Sequence, residues 1–434
     1  METNRRSFLK SSTLAAGAAS LATPLFVHAA GNETLKVAVV GCGGRGTGAA
    51  KQALNVPGVK IVALADAFME RCERCEKELQ GAGKAQGSSV EVGTNKFEGL
   101  DAYKKAIDLC DVLVTAAPPG FRPFHFQYAV QKGKHVFMEK PVAATAAGIR
   151  RVLAAADEAK KKNLKVVVGL QRHFDPVYVE TRKRILDGMI GDVLAMQVFW
   201  MGDGIWNHGR KPGMTELQYQ ASNWFHLYHV GGDGIVEQHI HNIDAALWMT
   251  GLKVDRAYGT GGRDVRRDPK VGNIFDHFAI EFSLANGGVM NSWWRHHPDT
   301  QGRVGETILG SKATASYGRI TARDGKEIWK YEGPKNDPYQ EEHNVLFASI
   351  RANQEINMAH EGAESCMVGI LGRMAAYSGN SIPMSRAFKA EDGILPDTAD
   401  WNAPVGVKPG PDGNYEAIVP GRFDPFNPPG AIKA

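Results

Sequence analysis

The feature that most constrains the fold is a glycine loop that directly follows a short apolar run. Leu35–Val40 reads LKVAVV, which is typical of a strand buried on both faces of a parallel sheet. The run leads into Gly41-Cys42-Gly43-Gly44-Arg45-Gly46, and a helix is predicted over residues 47–54. In this spacing the first glycine permits a tight turn, the second lets the backbone approach a pyrophosphate, and the third lets helix and strand pack closely. The loop therefore predicts a dinucleotide-binding βαβ unit.

An acidic residue at the expected distance strengthens that prediction. A second strand, predicted over residues 59–65, ends at Asp66, twenty residues after Gly46. A carboxylate there can accept hydrogen bonds from ribose hydroxyls and would repel a 2′-phosphate, so NAD is predicted in preference to NADP. Arg71 is near enough in sequence to keep NADP as the alternative. Asp66 can also be a helix N-cap, and the two roles are compatible.

Two further strands are predicted to end in the same cleft. Residues 112–116 precede Pro118, with His125 on the following helix, and His135–Met138 precedes Glu139-Lys140-Pro141. The carboxyl ends of parallel strands are where a doubly wound sheet binds its ligand, although Lys140 can also be an ordinary solvated lysine. The predicted cofactor contacts are Gly41, Gly43, Gly44, Arg45, Gly46, Asp66, Pro118, His125, Glu139 and Lys140.

A second part of the chain begins with another buried strand. This strand, predicted over residues 166–170, leads to Arg172 and His173, which are candidate substrate contacts unless they only anchor one domain to the other. An aromatic and histidine-rich stretch, residues 206–229, suits sugar binding, and it equally suits core packing or a subunit interface. Later strands are predicted over residues 192–201, 276–284 and 288–295, with Asn286-Gly287 as a hairpin signal.

These motifs, together with a later histidine motif, resemble the Gfo/Idh/MocA oxidoreductases over roughly residues 34–390. Glu139-Lys140-Pro141 is the most specific element of the resemblance, which implies that Lys140 lies near the nicotinamide and the reacting carbon. The resemblance also implies an α/β fold, with a Rossmann domain followed by an α/β domain that has a large open, mainly antiparallel sheet. Because such a sheet often forms subunit contacts, it implies a homo-oligomer, either a dimer or a tetramer.

The histidine motif departs from the family pattern Asp-x-x-x-His-x-x-Asp. Glu237 stands for the first acid, His241 for the catalytic histidine and Asp244 for the last acid, which is equally suited to a structural role. His239 occupies a position that is usually glycine. The resemblance makes Lys140, Glu237 and His241 the candidate catalytic residues, and the departures indicate a reshaped pocket. The predicted substrate contacts are Lys140, Arg172, His173, Glu237, His239 and His241.

The chemistry of these side chains agrees with alcohol oxidation. Glu237 and His241 are four residues apart, which predicts that they share one helix face. A histidine can take the hydroxyl proton while hydride leaves carbon, and a lysine ammonium can hold the hydroxyl oxygen. The alternative is that Glu237, His239 and His241 bind a metal ion. Their spacing does not converge on a regular helix, so no metal is predicted there.

The first thirty residues are predicted to be an export signal. Asn4-Arg5-Arg6-Ser7-Phe8-Leu9-Lys10 is a twin-arginine motif, and a modest apolar run over residues 14–27 precedes a small-residue cleavage site at Ala29. The run is too short and too rich in small residues to be a membrane span, and a basic tail on a cytoplasmic enzyme is the alternative. Because the twin-arginine machinery exports folded proteins, we expect a periplasmic or otherwise exported protein whose NAD is loaded beforehand and tightly bound.

Length and charge narrow the organisation and the partners. The 434 residues allow about two domains. The net charge of +4 gives no reason to expect nucleic acid or an anionic membrane as a partner. The predicted segments are a signal peptide over 1–30, a Rossmann domain over 34–160, an α/β substrate and oligomerisation domain over 161–390 and an extended tail over 391–434.

The sequence thus predicts an exported, NAD-dependent oxidoreductase that acts on a CH–OH group of a sugar, polyol or glycoside. One alternative is a redox-neutral, NAD-dependent glycosidase, in which oxidation is followed by elimination of the aglycone, addition of water and return of the hydride. The other is a non-catalytic carbohydrate- or nucleotide-binding protein. The intact Lys140 and His241 argue against that last alternative.

Overall fold

A parallel sheet is formed by the first part of the chain. The computed structural model describes residues 34–266 and 272–431, so the predicted signal peptide lies outside the described residues. The strands are β1 (Leu35–Val40), β2 (Val59–Asp66), β3 (Ser89–Val90), β4 (Lys96–Glu98), β5 (Val112–Thr115), β6 (His135–Met138) and β7 (Val166–Val168). The helices are α1 (Gly44–Leu54), α2 (Met69–Gln80), α3 (Ala102–Asp108), α4 (Arg122–Gln131) and α5 (Ala146–Lys161).

The strand order of this sheet locates the ligand crevice. The order is β3-β2-β1-β5-β6-β7, with β4 also paired to β2, and all of these pairings are parallel. The order reverses between β1 and β5, and ligands of such sheets bind outside the carboxyl ends of the strands at that point. The five strands predicted from apolar runs are all present. Because β7 pairs with β6, the sheet extends past residue 160, and the exact domain boundaries stay a prediction.

A larger, mixed sheet follows. Its strands are β8 (Val193–Gly202), β9 (Val254–Gly262), β10 (His277–Leu284), β11 (Val289–His296), β12 (Arg303–Gly310), β13 (Ala313–Ser316), β14 (Arg319–Ala322), β15 (Glu327–Lys330) and β16 (Ile382–Pro383). The order is β15-β14-β13-β12-β8-β11-β10-β9-β16, and only the pairing of β8 with β11 is parallel among these described strands. The predicted hairpin joins β10 to β11. The predicted fold class, a Rossmann unit followed by a mainly antiparallel sheet, is confirmed.

The helices of the second part of the chain pack mainly on the larger sheet, whereas the helix Pro338–Arg351 packs on the parallel sheet. They are α6 (Pro176–Leu186), α7 (Glu216–Ser222), α8 (Tyr228–Gly231), α9 (Gly234–Glu237), α10 (Ile240–Thr250), α11 (Pro338–Arg351), α12 (Ala359–Ser378) and α13 (Met384–Ala387). Helix α12 is buried along most of its length and contacts α5, α10, β9 and β10. A side chain at Gly372 would lie 2.8 Å from Phe282, so a small residue is needed for this close packing. The packing fixes the second sheet against the first.

The tail after α13 contains no further helix or strand up to residue 431, where the described part of the chain ends. It lies against the rest of the protein, since Tyr415 is buried beside Tyr219 and Trp401 stacks on Phe68 with ring centroids 6.0 Å apart. Among the described residues, no helix has the length and apolar character that a bilayer crossing requires.

Candidate active site

The glycine loop has the geometry that its sequence predicts. Gly41 has a φ of +89°, and a Cβ there would lie 2.3 Å from the backbone nitrogen of Ala117. A Cβ on Gly46 would lie 1.8 Å from the carbonyl oxygen of Gly41. Side chains at Gly43 and Gly44 would meet nothing within 4 Å. Two of the glycines are therefore fixed by packing, and the other two border open space at the start of α1, where a phosphate group fits.

Asp66 ends β2 beside this loop. Its Oδ2 accepts a hydrogen bond of 2.7 Å from the Cys42 N–H, and its Oδ1 accepts one of 3.2 Å from the Phe68 N–H. Burial raises the pKa of Asp66, although Arg71, whose Nη1 lies 3.7 Å from Oδ1, opposes this effect. Helix α2 begins after Phe68, so Asp66 is not its N-cap. The carboxylate instead orders the glycine loop and borders the cavity described next.

A cavity of about 820 Å³ lies above the loop, large enough for a dinucleotide. The predicted cofactor residues that line it are Gly41, Gly43, Gly44, Arg45, Gly46, Asp66, Pro118 and His125. Burial, and secondarily Arg122, lowers the pKa of His125 to about 3, so its imidazole is neutral. The residues present thus fit the ribose and phosphate groups of a dinucleotide.

Glu139 does not line this cavity. It is 2% exposed, and its Oε1 lies 2.5 Å from Nε of Arg45. The guanidinium of Arg45 also lies over the ring of Tyr339, 4.8 Å from its centroid, and 3.7 Å from the buried Glu342. Glu139 therefore holds the loop arginine in place, while the next residue along the chain, Lys140, contacts Glu237.

Lys140 and Glu237 meet although 97 residues separate them. The Lys140 Nζ donates a hydrogen bond of 2.7 Å to the carbonyl oxygen of Glu237 and lies 3.3 Å from its Oε1. Each side chain is 15% exposed, so the pair can be reached by a small molecule. The ion pair joins the carboxyl end of β6 to the end of α9.

His241 completes this cluster. Its ring stacks near Trp200 at a centroid distance of 5.9 Å, and the residue is 8% exposed. Burial lowers its pKa well below 6.5, and the positive charges of Lys140 and Arg172 lower it further. Its ring nitrogens have no hydrogen-bond partner within residues 34–266 and 272–431. A neutral imidazole with a free lone pair is the form that accepts a proton.

The prediction that Glu237 and His241 share one helix face is wrong. Glu237 is the last residue of α9, and α10 begins only at Ile240. Gly234, the first residue of α9, packs so tightly on Trp294 that a Cβ would lie 1.8 Å from its ring, and His239, in the turn after α9, bonds Ser292 of β11. The two side chains approach the cluster from successive short helices rather than from one.

The structure does not bring His239 and His173 to the cluster. His239 is fully buried, with Nε2 2.9 Å from Oγ of Ser292, and burial lowers its pKa to about 3. His173 lies 2.9 Å from Asp244 and stacks on Trp248. Glu237, His239 and His241 consequently face different partners. Neither His173 nor His239 therefore has a position that suits direct contact with the substrate.

Arg172 has an intermediate position. Its Nη1 donates hydrogen bonds to the carbonyl oxygen of His241 (3.0 Å) and to Oε2 of Glu306 (2.9 Å). It also borders a second cavity of about 520 Å³ together with Tyr178 and Tyr339. The arginine thus supports the backbone of the candidate base and faces an open space beside it.

Some cavity residues carry no sequence signal that identifies them. Trp206, His208 and Trp224 border the larger cavity, which places part of the aromatic stretch beside the cofactor rather than beside Lys140. Phe68 also borders it and stacks on Trp401 of the tail. Only the richness of the stretch in aromatic residues indicates a binding role, since its position depends on the folding of a long connection.

The parallel sheet, its glycine loop and the Lys140–Glu237–His241 cluster together define a nucleotide-dependent oxidoreductase. The description "Oxidoreductase family, NAD-binding Rossmann fold" matches residues 35–169, and "GFO/IDH/MocA C-terminal domain" matches residues 178–316. These matches together cover more than half of the chain, which therefore belongs to the GFO/IDH/MocA oxidoreductase family. NAD is its cofactor, and it acts on CH–OH groups.

Similar proteins include dehydrogenases and glycosidases. Inositol 2-dehydrogenase of Rubrobacter xylanophilus is 29% identical over 65% of this chain and 71% of its own length. Glycosyl hydrolase family 109 protein 1 of Bacteroides thetaiotaomicron is 29% identical over 38% of this chain and only 34% of its own length. Scyllo-inositol dehydrogenase from Lactobacillus casei, solved with NAD(H) and scyllo-inositol, has a TM-score of 0.61 and 20% identity over 81% of this chain and all of that one. The last similarity shows the fold.

Proposed function

We propose that this chain is an exported oxidoreductase that transfers hydride between a hydroxyl carbon of a sugar, polyol or glycoside and NAD. The observation that carries the proposal is a group of three side chains, in which Lys140 contacts Glu237 and the charge of Lys140 acts on His241. They are an ammonium (Lys140), a carboxylate (Glu237) and an uncharged imidazole (His241). The inositol dehydrogenases among the similar proteins support a polyhydroxylated substrate.

Each side chain has a distinct role in this proposal. NAD, when bound, supplies the hydride acceptor. His241 takes the hydroxyl proton, because its lowered pKa keeps it uncharged at neutral pH. Lys140 donates a hydrogen bond to the hydroxyl oxygen and stabilises the negative charge that develops there. Glu237 holds Lys140 in position and can accept a hydrogen bond from a neighbouring hydroxyl. In this proposal all three side chains touch the substrate, and they are therefore catalytic residues.

A redox-neutral glycosidase is the second candidate, and the similarity to glycosyl hydrolase family 109 proteins favours it. In that reaction the first oxidation acidifies the neighbouring C–H bond, a base removes that proton and the aglycone leaves. Water then adds, and the hydride returns to the substrate carbon, so no net reduction of NAD occurs. The same Lys140 and His241 would serve the first and last steps.

The deciding experiment supplies the purified protein with NAD and a panel of polyols, sugars and aryl glycosides. Formation of NADH and a ketone supports the dehydrogenase, and release of the aglycone without net NADH supports the glycosidase. Lys140→Met is expected to lower either turnover by about 100-fold or more while NAD binding persists. Lys132→Met is the matched control, because it removes a surface lysine paired with Asp108. If no substrate turns over, or Lys140→Met equals the wild type, both enzyme proposals fail and a binding protein remains.

Export and tight cofactor binding form a separate part of the proposal. The twin-arginine start and the aromatic residues around the larger cavity support it. We expect NAD to remain bound to the protein after gel filtration, measured by mass spectrometry of the denatured protein.

Replacing Arg5 and Arg6 by lysine is expected to retain the protein in the cytoplasm, measured by cell fractionation. Full export of this double variant would contradict the predicted export signal. Light scattering measures the predicted assembly, for which we expect the mass of a dimer or a tetramer.

A further inference from the structure

A second group of chemically active side chains lies outside the catalytic cluster. Asp264, Asp276, His277 and His297 each offer one ligand atom, and these four atoms lie within 4.8 Å of one another. Nothing in the oxidoreductase chemistry proposed above uses them. Their side chains range from fully buried (Asp276) to 65% exposed (Asp264), so an ion from solvent can reach the group.

The second sheet positions both histidines. His277 lies opposite Arg295 in the antiparallel pairing of β10 with β11. His297 follows Arg295 by two residues, which places it on the same face of the sheet as His277. Their rings are 5.8 Å apart, centroid to centroid. The register of two strands thus brings two imidazoles together without any local sequence motif.

The backbone positions Asp276 between them. Its Oδ2 accepts hydrogen bonds of 2.7–2.9 Å from three successive N–H groups, those of residues 264–266. An oxygen that accepts hydrogen bonds from three N–H groups is that of a carboxylate, the form that binds a metal ion. Oδ1 of Asp276 lies 2.9 Å from Nδ1 of His277 and 3.5 Å from Nε2 of His297. Oδ2 is thus bonded to the backbone, and Oδ1, which also accepts a hydrogen bond of 3.1 Å from the Asp264 N–H, faces the imidazoles.

Three of the six separations between the ligand atoms match a tetrahedral metal site, and the others are below 4.8 Å. Ligands about 2.0–2.1 Å from a zinc ion in tetrahedral geometry lie about 3.3 Å from one another. The distance from His277 Nδ1 to Asp264 Oδ2 is 3.6 Å, and with the two distances to Asp276 the range is 2.9–3.6 Å. Nε2 of His297 is covered by protein and has no hydrogen-bond partner among the described residues. A buried nitrogen without a hydrogen-bond partner destabilises the folded protein, and binding a metal ion would remove that cost.

We propose that Asp264, Asp276, His277 and His297 bind one divalent transition-metal ion of the zinc type. Two imidazole nitrogens favour zinc over magnesium or calcium, which prefer oxygen ligands. Two carboxylates balance the charge of a divalent ion. With four protein ligands the coordination is closed, which is the arrangement of a structural site rather than a catalytic one.

The site has a structural consequence at the active site. Arg266, whose N–H binds Asp276, donates hydrogen bonds to Nδ1 of His226 (3.3 Å) and Nδ1 of His296 (2.5 Å). His226 in turn donates to the carbonyl oxygen of Trp206 (2.7 Å), and His296 donates to Oε1 of Gln238 (2.6 Å). A metal ion on Asp264 and Asp276 would therefore stabilise a network that reaches both the cofactor cavity and the residue after Glu237.

The test measures metal binding directly on the full chain with a tag that contains no histidine. The protein is stripped with a chelator and dialysed against zinc, and the metal content and the melting temperature are measured. We expect about one zinc per chain and a higher melting temperature than the stripped protein. Asp264→Asn and His297→Gln are each expected to weaken zinc binding by about tenfold or more. Asp264 is largely exposed, so its variant tests the site even if His297→Gln does not fold.

His360→Gln is the matched control. His360 lies on the surface with its Nε2 2.8 Å from Oδ1 of Asp157, and this ion pair contains only one histidine. This variant is expected to bind zinc like the wild type. Protein that is stripped of metal and then loaded with cobalt should also show the intense visible absorption of tetrahedral Co²⁺. Zinc binding that is absent from the wild type, or equal in Asp264→Asn, His297→Gln and the wild type, would overturn the site. NAD content, measured in the same samples, is independent of that outcome.

Discussion

The cofactor cavity and the candidate cluster of Lys140, Glu237 and His241 are built in different ways. The cavity depends on a contiguous loop whose backbone geometry excludes other residues at Gly41 and Gly46. The cluster depends on side chains from distant segments, and Lys140 reaches Glu237 across 97 residues. A backbone-built site is encoded locally and tolerates few substitutions, whereas a side-chain site can be altered one group at a time. The two regions should therefore respond differently to comparable substitutions.

The sharpest test of that difference compares two glycines of one loop. Gly46→Ala places a Cβ 1.8 Å from the Gly41 carbonyl, so the strand and helix must separate. We expect a loss of about 4 kcal/mol or more in the free energy of unfolding, measured by denaturant titration without cofactor. Gly43→Ala meets nothing within 4 Å and is expected to cost about 1 kcal/mol or less, mainly through its N-cap position.

The second measurement on this pair is the affinity for NAD. Gly43→Ala should fold but bind NAD more weakly, because its methyl group enters the space open to the pyrophosphate. Equal stability of the two variants would contradict the packing argument. An unchanged affinity in Gly43→Ala would place the pyrophosphate elsewhere.

Substitutions of His241 and His239 distinguish a catalytic role from a structural one. His241→Asn removes the candidate base and is expected to lower kcat/KM by about 10²–10⁴-fold while the melting temperature and NAD affinity change little. His239→Asn breaks the bond to Ser292 in a fully buried position, so its main effect should be on stability. A variant of His239 that loses activity without losing stability would show that the assignment of the two histidines is reversed.

The pH profile gives an independent measure of the same base. Because burial and neighbouring cations lower the pKa of His241, its proton-accepting form persists well below pH 6.5. The acid limb of kcat/KM for the wild type is therefore expected below pH 6.5. An acid limb at or above that pH would mean that another group is the base.

The same contrast explains what the sequence predicts and what it does not. The parallel strands are predictable because each is a continuous apolar run followed by a turn, and the glycine spacing specifies a single backbone path. The strands β13 to β15 lack such a signal, since they have only four residues each. Residue spacing predicts that Glu237 and His241 share one helix face, but it does not show that one helix ends and another begins between them, at Gln238 and His239. The side chain of His239 bonds Ser292, which lies in another part of the chain. Sequence distance cannot reveal a turn that tertiary contacts impose.

Acid stability extends the comparison to the whole protein. Burial lowers the pKa of six histidines, to about 3 for His125, His229, His239, His296 and His343 and to about 4 for His226. Below pH 6.5 these histidines bind protons in the unfolded chain but not in the folded chain. The free energy of unfolding therefore falls as the pH falls. The expected slope is about 1.4 kcal/mol per pH unit for each histidine as an upper value.

Four of these six histidines lie between residues 226 and 296. His296 is in β11 and His239 bonds Ser292 of the same strand, so β11 and its neighbour β10 should respond to acid first. Hydrogen exchange at pH 5 is expected to accelerate more in β10 and β11 than in β1 and β5, relative to pH 7 after correction for the intrinsic rate. Equal acceleration in both sheets, or a free energy of unfolding that does not change between pH 7 and pH 5, would contradict this assignment of neutral histidines.

The smallest expected effect concerns cofactor choice. Asp66→Ser removes the charge that disfavours a 2′-phosphate and leaves Arg71 and Arg74 at the cavity, so the ratio of the NADP and NAD dissociation constants should shift towards NADP by about tenfold. Titration calorimetry with both nucleotides measures that ratio. Arg71→Ala is the opposing variant, and it should weaken NADP more than NAD. Because Asp66 also accepts the Cys42 N–H, a fall in affinity for both nucleotides without a change in their ratio would mean that its carboxylate orders the loop and does not select the ribose.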